Sequence, residues 1–285
     1  MSKNCIINVN KPSGITSFKV VSMVKKILHT KKVGHLGTLD PLASGVLPIA
    51  VNRATKLFDY YLKKNKVYIA EFEFGYETTT LDCQGEIVLQ NNVIVSEENL
   101  KLILPDFIGE SLQVPPVYSA KKINGKRSYD LARQGVEVQL RPALITIYDL
   151  ELLDCVGLNK FRIKIKCSAG TYIRSLGRDI AKKLKTFATM TSLVRIQSGN
   201  FLIENALSLE ELENITYENM QEIDVGFDKI ILNENEKFKI MNGVKIPFAG
   251  KNGFYQAYDC LNNLIGIVNC KDNLIHLQIL LYEEG

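Results

Sequence analysis

The chain has 285 residues, of which 46% are hydrophobic and 23% are charged, and its formal net charge is +4. This is the composition of a folded globular protein of one or two domains, and it excludes intrinsic disorder as the main state. No apolar run approaches the roughly 18 residues of a transmembrane helix, and residues 1–9 are too few and too polar to predict a signal peptide.

Two helices and a strand are predicted in the first part of the chain. Apolar residues recur at helical spacing over 17–29, and Ser17 stands where it can cap that helix. A second helix is predicted over 53–63. From Lys66 onward apolar and acidic residues alternate, which is typical of a strand with one buried face, and Tyr68 lies on that face.

The middle of the chain combines regular elements with one segment of different composition. A short helix is predicted over 96–107. Residues 113–142 are rich in proline, glycine and basic residues, which predicts a hairpin or a small excursion from the compact body. A strand with one basic face is predicted over 160–167, a helix over 172–184 and a further strand over 192–203.

The last part of the chain is first acidic and then β-rich. Acidic helical pieces are predicted over 208–213 and from Glu218 onward, and short β-like runs follow after about Lys237. The elements predict an α+β fold with a mixed, mainly antiparallel sheet and flanking helices. We expect one large domain over 1–236 and a small β-rich domain over 237–285.

Charge is distributed unevenly along the chain. Residues 19–66 carry ten Lys or Arg against two acids, and residues 113–142 carry six against two. Residues 204–240 carry ten acids against three lysines. The first two thirds of the chain can therefore attract a polyanion, whereas the later stretch cannot. By charge alone, nucleic-acid contact and a merely solvated lysine-rich face are equally open.

Cysteine and histidine spacing predicts no metal site. None of the six cysteines forms a C-x-x-C pair, and the three histidines lie far apart in the sequence. We interpret the cysteines as reduced thiols of a cytoplasmic protein.

The most unusual segment is GHLGTLDPLASG at 34–45, which places a histidine, an aspartate and three glycines among apolar residues. A carboxylate in apolar surroundings is costly unless it is paired, so Asp40 is a candidate functional residue. The alternative is that Asp40 and Pro41 open a turn that Asp40 caps. A P-loop is excluded because no G-K-[ST] follows the glycines.

A second candidate segment joins the basic strand to the next helix. Arg174 at this junction could reach a carboxylate on a neighbouring strand and hold it ionised. The alternative is that Arg174 caps local backbone or pairs with Asp179 on the helix surface. Tyr68 is the third candidate, although a tyrosine on the inward face of a strand is most often a core residue.

These segments resemble the active-site motifs of the bacterial tRNA pseudouridine synthase B family. The string at 34–45 looks like the family's long signature, and KVY at 66–68 and GTYIR at 170–174 are similar to its other two motifs, in the same order. The opening NKPSGITS at 10–17 is a further match. The resemblance covers about residues 5–205.

The resemblance implies an enzyme that isomerises uridine 55 in the T loop of tRNA to pseudouridine, with no metal or other cofactor. The base is detached from C1′, rotated and rejoined through its C5. It implies the pseudouridine synthase fold, an RNA-clamping insertion over 113–142 and a PUA-like domain over 237–285. The expected partner is the T arm of tRNA, and no membrane, guide RNA or obligate protein partner is expected of this stand-alone enzyme, which we expect to be a monomer. A tRNA-folding (chaperone) role can accompany catalysis, because flipping the base already opens the T loop.

The resemblance also assigns roles to individual positions. Asp40 matches the nucleophile, and Arg174 matches the arginine that would pair with it in a bidentate contact. Tyr68 matches the tyrosine that stacks on the flipped base and is a candidate for removing the C5 proton. Tyr172 matches a pocket residue, and His35 matches a histidine that helps to disrupt the T loop. Further expected RNA or pocket contacts are Lys56, Asp82, Gly37, Lys121, Lys122, Lys126, Arg127 and Arg133. Gly37, together with Gly34 and Gly45, would allow close backbone approach.

Two other interpretations are considered beside this one. A non-catalytic tRNA-binding or chaperone protein would keep its function after Asp40→Asn. A nucleoside hydrolase would need a second acid close to Asp40, and the surrounding motif offers none. Within the synthase interpretation, attack of Asp40 on C1′ and attack on the base are both open.

Overall fold

The computed structural model describes residues 4–118, 122–123, 126–127, 140–215, 220 and 223–282, with the backbone alone for 122–123 and 126–127. The helices are α1 (Ser17–Ile27), α2 (Phe58–Leu62), α3 (Glu97–Ile103), α4 (Ile173–Lys183), α5 (Leu209–Glu213) and α6 (Glu234–Met241), with 3₁₀ turns at Asn52–Leu57, Leu104–Phe107 and Ile203–Asn205. None of the helices in these ranges is long and apolar enough to cross a membrane.

The strands, in chain order, are β1 (Cys5–Lys11), β2 (Val33–His35), β3 (Ser44–Val51), β4 (Lys66–Phe74), β5 (Tyr76–Thr78), β6 (Ile87–Gln90), β7 (Gly109–Gln113), β8 (Lys122–Ile123), β9 (Lys126–Arg127), β10 (Ala143–Gly157), β11 (Lys160–Cys167), β12 (Ala188–Ser198), β13 (Phe201–Leu202), β14 (Asp228–Leu232), β15 (Ile246–Pro247), β16 (Gly253–Asp259), β17 (Leu264–Lys271) and β18 (Leu274–Leu280).

The first sheet has nine strands, and its main path runs β1-β3-β12-β4-β11-β10-β7. The short strands β2 and β13 pair with β3 and β12. Neighbouring strands are antiparallel except β3 and β12, which run parallel. The predicted mixed, mainly antiparallel sheet with flanking helices is therefore confirmed.

Helices α1 and α4 pack on one face of this sheet in the main hydrophobic core. Val20 and Val24 of α1 and Leu176 and Ile180 of α4 are buried together with inward residues of the strands, including Phe72. Along the strands from β1 to β12, successive side chains point to opposite faces of the sheet, and those on the inward face form the other side of this core. The core therefore fixes the first turns of α1 and α4 at one end of the central strands.

Three local expectations differ from the structure. Thr16, not Ser17, caps α1, because its hydroxyl accepts from the Lys19 amide while Ser17 is buried. The helix predicted over 53–63 begins as a 3₁₀ turn before α2. The strand predicted over 192–203 begins earlier, at Ala188, and breaks at Gly199, whose φ of 58° turns the chain into β13.

The second sheet has five strands in the order β14-β16-β17-β18-β15 and its own core. The predicted small β-rich C-terminal domain is thus confirmed as an architecture, although β14 lies before Lys237 and the division into 1–236 and 237–285 stays a prediction. Of the acidic helix predicted from Glu218, residues 218–219 and 221–222 lie outside the described residues, and 223–227 are not helical.

The two sheets share a buried cluster. Ile6 and Leu36 of the first sheet region pack with Ile267 and Leu281 of the second. A hydrogen bond of 2.7 Å from Arg53 Nη1 to a backbone carbonyl near the end of the described chain adds to this contact. Leu36 is part of the 34–45 segment that carries Asp40, so the second sheet packs against that segment.

The insertion predicted over 113–142 falls largely outside the described residues. In its described inner part, β8 pairs antiparallel with β9, with Lys122 opposite Arg127 and Ile123 opposite Lys126. Lys121 and Arg133 lie outside the described residues, as do the side chains of Lys122, Lys126 and Arg127.

Candidate active site

The backbone that leads to Asp40 is held by the buried side chain of Arg195. From β12, Arg195 donates through Nη2 to the Gly37 carbonyl (3.0 Å) and through Nη1 to the Thr38 carbonyl (3.3 Å). Its Nε donates to the Val46 carbonyl at 2.7 Å. Only 1% of Arg195 is exposed. A guanidinium has its donors in one rigid plane, so one side chain fixes three backbone groups of the loop and of β3.

Two more buried side chains hold the same loop from the other side. The Ser17 hydroxyl accepts from the Leu39 amide and donates to the Leu39 carbonyl, both at 2.9 Å. Lys11 Nζ lies 3.4 Å from the Pro41 carbonyl. The Ala43 amide donates to the Asp40 carbonyl, so the turn of the alternative interpretation is present, but the Asp40 carboxylate pairs with Arg174 instead of capping that turn. The turn and a functional contact of the carboxylate coexist.

Gly45 allows the close strand pairing on which this arrangement depends. A Cβ atom at Gly45 would lie 2.2 Å from the Arg195 carbonyl oxygen, and its φ of 101° disfavours other residues. Gly45 lies opposite Arg195 in the parallel register of β3 and β12. The close backbone approach expected for this glycine therefore serves strand packing. A Cβ atom at Gly37, by contrast, would make ordinary contact with Arg195.

Arg174 lies in the first turn of α4 and pairs with Asp40. Its Nη2 is 2.9 Å from Oδ2 of Asp40, and its Nη1 is 3.5 Å from Oδ2 of Asp82. The helix can approach β4 this closely because residue 177 is glycine, where a Cβ atom would collide with the Phe72 ring at 2.3 Å. The expected contact with a carboxylate is present, but the two terminal nitrogens divide between two carboxylates instead of forming a bidentate contact with Asp40.

The two terminal nitrogens of Arg174 also bind the backbone. Nη1 donates to the Thr80 carbonyl at 2.9 Å and Nη2 to the Tyr118 carbonyl at 3.1 Å. The alternative partner Asp179 is instead bound by Arg178 at 2.9 Å. Arg174 is therefore buried and held by several partners, and it is directed to Asp40 rather than to the helix surface.

Asp82 is the second carboxylate of this group, and it is buried. Its Oδ1 accepts from the Thr80 hydroxyl at 2.6 Å and from the Gln84 amide at 3.1 Å. The loop between β5 and β6 carries it to Arg174. Asp82 therefore lies behind Arg174, where it orients the guanidinium that faces Asp40.

One cavity of about 260 Å³ gathers the candidate residues. The predicted residues that line it are Gly37, Asp40, Tyr68, Tyr172 and Arg174, and they are joined there by residues that include Leu62, Lys66, Leu193 and Arg195. The backbone of Tyr172 is fixed by the Gln113 side chain, which accepts from its amide at 2.8 Å and donates to its carbonyl at 3.1 Å. The carboxylate of Asp40 is 38% exposed, so an anionic oxygen is presented to this cavity.

Tyr68 forms an aromatic wall of the cavity, and its side chain is also part of the core. Burial raises the pKa of the Tyr68 phenol, and Arg195 opposes that rise. At neutral pH the side chain is therefore a phenol rather than a phenolate.

Two lysines near the cavity are unusual because they are buried. Burial lowers the pKa of Lys11 to about 8, and Asp40 opposes this shift. Burial and Arg195 lower the pKa of Lys66 to about 8. Lys66 Nζ donates to the Leu62 carbonyl at 2.6 Å. Both lysines remain mainly protonated at pH 7 and hold backbone carbonyls that shape the site.

Two predicted residues lie away from the cavity. His35 is on β2, where it pairs with Ile49, and burial and Arg195 lower its pKa, so that it is neutral at pH 7. Its Nδ1 is buried and has no hydrogen-bond partner within the described part of the chain. Lys56 is exposed on the 3₁₀ turn before α2.

Sequence reasoning missed Arg195, Lys11, Ser17 and Lys66. A usable signal was present: Arg195 and Lys11 occupy positions where the strand period of two predicts inward apolar residues, following Leu193 and Val9. A charged residue at an inward strand position indicates a buried hydrogen-bonding role. Elsewhere among the described residues, no three His, Cys, Asp or Glu side chains are grouped so that they could hold a metal ion.

The architecture is shared with solved structures. One, titled "Crystal Structure of a Cbf5-Nop10-Gar1 Complex", has a TM-score of 0.73 at 24% identity and covers 99% of this chain and 85% of that chain. Another, titled "Structure of H/ACA RNP bound to a substrate RNA containing 2'-deoxyuridine", has a TM-score of 0.72 at 23% identity and covers 98% and 85%. The fold is therefore the pseudouridine synthase fold.

Sequence comparison defines the family within that fold class. The profile "TruB family pseudouridylate synthase (N terminal domain)" matches residues 25–173, and "tRNA pseudouridylate synthase B C-terminal domain" matches residues 174–234. The protein "tRNA pseudouridine synthase B" of Clostridium novyi is 42% identical over 93% of this chain and 94% of its own length. That of Clostridium acetobutylicum is 43% identical over 94% and 96%. The chain belongs to the TruB family of pseudouridylate synthases, as the resemblance of its motifs predicts.

Proposed function

We propose that this chain converts uridine 55 in the T loop of tRNA to pseudouridine, as a stand-alone enzyme with Asp40 as the nucleophile. The observation that carries this is the exposed Asp40 carboxylate at the cavity, 2.9 Å from the buried Arg174. The relatives named tRNA pseudouridine synthase B match almost the whole chain, which supports tRNA as the substrate.

The proposed reaction moves the base without changing its composition. Asp40 forms a bond to C1′ or to the base, the bond from C1′ to N1 breaks, and the base rotates. A bond from C1′ to C5 then forms and the bond to Asp40 breaks, which returns the free carboxylate. The C5 proton leaves, and N1 ends with a proton. Arg174 aims and stabilises the carboxylate until it reacts. The apolar residues of the cavity lining, Leu39, Leu62, Ile173 and Leu193, would limit the access of water to the separated base and sugar once RNA covers the opening.

Tyr68 and Tyr172 are proposed to hold the extruded base. Both line a cavity of about 260 Å³, which fits one nucleoside rather than a base pair. Stacking on an aromatic ring contributes about 1–3 kcal/mol per base, enough to offset part of the cost of flipping. Removal of the C5 proton by Tyr68 would require its phenolate, which burial disfavours. The neighbouring Arg195 is the group that reduces this obstacle.

Asp82 bears on the hydrolase alternative, which requires a second acid. This carboxylate is close in space, although the sequence motif around Asp40 offered none. Its oxygens face Arg174, the Thr80 hydroxyl and the Gln84 amide, and it is buried. Because these contacts direct it away from the cavity, it is not placed to protonate a leaving group. This arrangement favours isomerisation over hydrolysis.

The remaining RNA contacts are proposed from the family resemblance. His35 would help to open the T loop, Lys56 and the basic residues of the 113–142 segment would touch phosphates, and the second sheet would act as a PUA-like RNA-binding module. We also propose a cytoplasmic monomer with no guide RNA. A tRNA-folding role would follow from the same opening of the T loop.

The test uses an unmodified tRNA transcript that carries tritium at uridine C5. Incubation with the purified chain is expected to release about one equivalent of tritium per tRNA, since only a C5 bond change frees this atom. Asp40→Asn is expected to abolish release and to retain tRNA binding. Asp154→Asn, at an exposed aspartate on β10, is the matched control and should release as the wild type does. Tight binding without release by the wild type would replace this proposal with a non-catalytic tRNA-binding or chaperone protein.

A further inference from the structure

Arg195 is a buried cation that lies outside the three active-site motifs, and the proposed reaction gives it no bond to make or break. It is among the largest fully buried side chains of the chain. Its donor nitrogens bind the backbone carbonyls of Gly37, Thr38 and Val46, and its side chain also hydrogen-bonds to the Tyr68 hydroxyl. Burying a charge without a carboxylate is costly, so such a group is retained where its position matters.

Arg195 also lies beside Tyr68. The two residues are direct partners in the antiparallel register of β12 and β4, so their side chains leave the same face of the sheet. Both line the cavity with Asp40. The Arg195 guanidinium therefore stands between the loop that carries the carboxylate and the ring that faces it.

We propose that Arg195 is a positioning residue that locks the Asp40 loop to the Tyr68 hydroxyl, so that the two reacting faces of the cavity keep a fixed separation. This rests on the proposed function of the cavity. Arg195 acts through the backbone of Gly37 and Thr38 and through the Tyr68 hydroxyl. An error of about 1 Å in such a placement can cost about 100-fold in rate.

The same contact affects the ionisation of Tyr68. The charged or titratable groups that face its hydroxyl are Arg195 on β12, Cys167 on β11 and Asp40 in the loop. Arg195 lowers the pKa of the phenol, whereas Cys167 and Asp40 raise it, in addition to the larger effect of burial. Loss of the guanidinium should therefore raise the pKa of Tyr68 further.

The test compares Arg195→Lys, which keeps the charge but cannot hold three carbonyls in one plane, with Arg195→Met, which removes the charge. Arg162→Met on β11 is the matched control, because Arg162 is a partly exposed surface arginine paired with Glu71. Each protein is assayed for single-turnover tritium release at saturating tRNA, for the Kd of tRNA, and for urea unfolding. In a parallel set, 3-fluorotyrosine at position 68 reports the phenol titration by ¹⁹F NMR without RNA.

Arg195→Lys is expected to reduce the single-turnover rate by about 10- to 100-fold with an unchanged Kd for tRNA. Arg195→Met is expected to reduce it further and to raise the pKa of the label at position 68, while Arg162→Met matches the wild type in both readouts. The proposal is overturned if both Arg195 variants keep the wild-type rate. It is also overturned if two results occur together. The first is that the rate losses of the Arg195 variants match their losses of folded protein, and the second is that the pKa of the label at position 68 does not change in Arg195→Met.

Failure to fold in both Arg195 variants would assign this residue to the core alone, which also contradicts the proposal. Failure of the proposed function gives a different pattern. In that case the wild type releases no tritium, whereas the NMR comparison, made without RNA, still reports on the contact between Arg195 and Tyr68.

Discussion

Asp40 and Asp259 each lie 2.9 Å from a cation, yet their surroundings are opposite. In the first sheet region, Asp40 pairs with Arg174. In the second, Asp259 at the end of β16 pairs with Lys237 of α6. The Asp259 side chain is 1% exposed, whereas that of Asp40 is 38% exposed.

The hydrogen bonds around the two carboxylates explain the difference. Asp259 also accepts from the amides of Leu261 and Asn263 and from the Asn263 side chain, so it closes a turn. At Asp40 the ion pair with Arg174 is the only polar contact of the carboxylate within the described part of the chain, whereas Arg174 also contacts Asp82 and two backbone carbonyls. A carboxylate whose hydrogen-bond acceptor sites are filled stabilises the fold. A carboxylate that keeps acceptor sites open beside a cation held by other groups is available for chemistry.

The largest effect is expected from Asp40→Asn. The amide keeps the shape of the side chain but is neither an anion nor a nucleophile, so the rate should fall by at least about 10³-fold. Because the side chain is partly exposed, the free energy of unfolding should change by less than about 1 kcal/mol. Single-turnover tritium release and urea unfolding measure the two quantities. Substantial remaining activity would remove the distinction between the two aspartates.

Arg174→Lys tests whether the cation beside Asp40 must also be held by its other partners. An ammonium group cannot face two carboxylates and two carbonyls in the observed geometry. We expect a rate loss of about 100-fold with retained tRNA binding. Asp82→Asn, which removes only the support behind Arg174, should cost less, about tenfold. An equal or larger loss in Asp82→Asn would show that Asp82 acts directly in the cavity.

Asp259→Asn tests the opposite half of the comparison. Burial raises the pKa of Asp259, but hydrogen bonds from Asn263 and Lys237 outweigh it and lower the pKa overall. The ionised form therefore stabilises the fold at neutral pH, and this contribution is lost as the pH falls through the folded-state pKa. The variant should lose about 2 kcal/mol of stability at pH 7, measured by urea unfolding. Its tritium release per folded molecule should equal that of the wild type, and a selective loss of rate would contradict the comparison.

The smallest effect concerns the buried lysines that surround Asp40. The pKa of Lys11 and of Lys66 is about 8 in the folded chain and about 10.4 when unfolded, so the unfolded state binds more protons between these values. Stability should therefore rise with pH from about 8 to 10, with a slope of at most about 1.4 kcal/mol per pH unit for each lysine. Lys66→Met should reduce this slope in urea unfolding curves. An unchanged slope would show that Lys66 keeps an ordinary pKa.

Much of the fold could be predicted because its patterns are local. The alternation over 160–167 matches β11, and the apolar period over 172–184 matches α4 to within a residue at each end. Contacts between distant segments could not be predicted in this way. Asp82 reaches Arg174 because the loop between β5 and β6 is bonded to Met190 of β12, and no periodicity records that pairing.

The candidate site shows the same limit. Motif resemblance selected Asp40, Tyr68 and Arg174, and the structure places all three at one cavity, while their roles stay proposals. Ser17, predicted as a helix cap, is instead buried against the Asp40 loop. Its hydroxyl suits either position, and tertiary packing decides between them.

The most direct test maps every uridine of one full-length tRNA after incubation with this chain alone. Carbodiimide treatment marks pseudouridine, and primer extension then stops at each marked base. A single stop at uridine 55 is expected with the wild type and with Asp259→Asn, and none with Asp40→Asn. A stop that persists in Asp40→Asn, a stop at other uridines only, or no stop without an added partner would contradict the assignment of Asp40 as the nucleophile of a stand-alone uridine 55 isomerase.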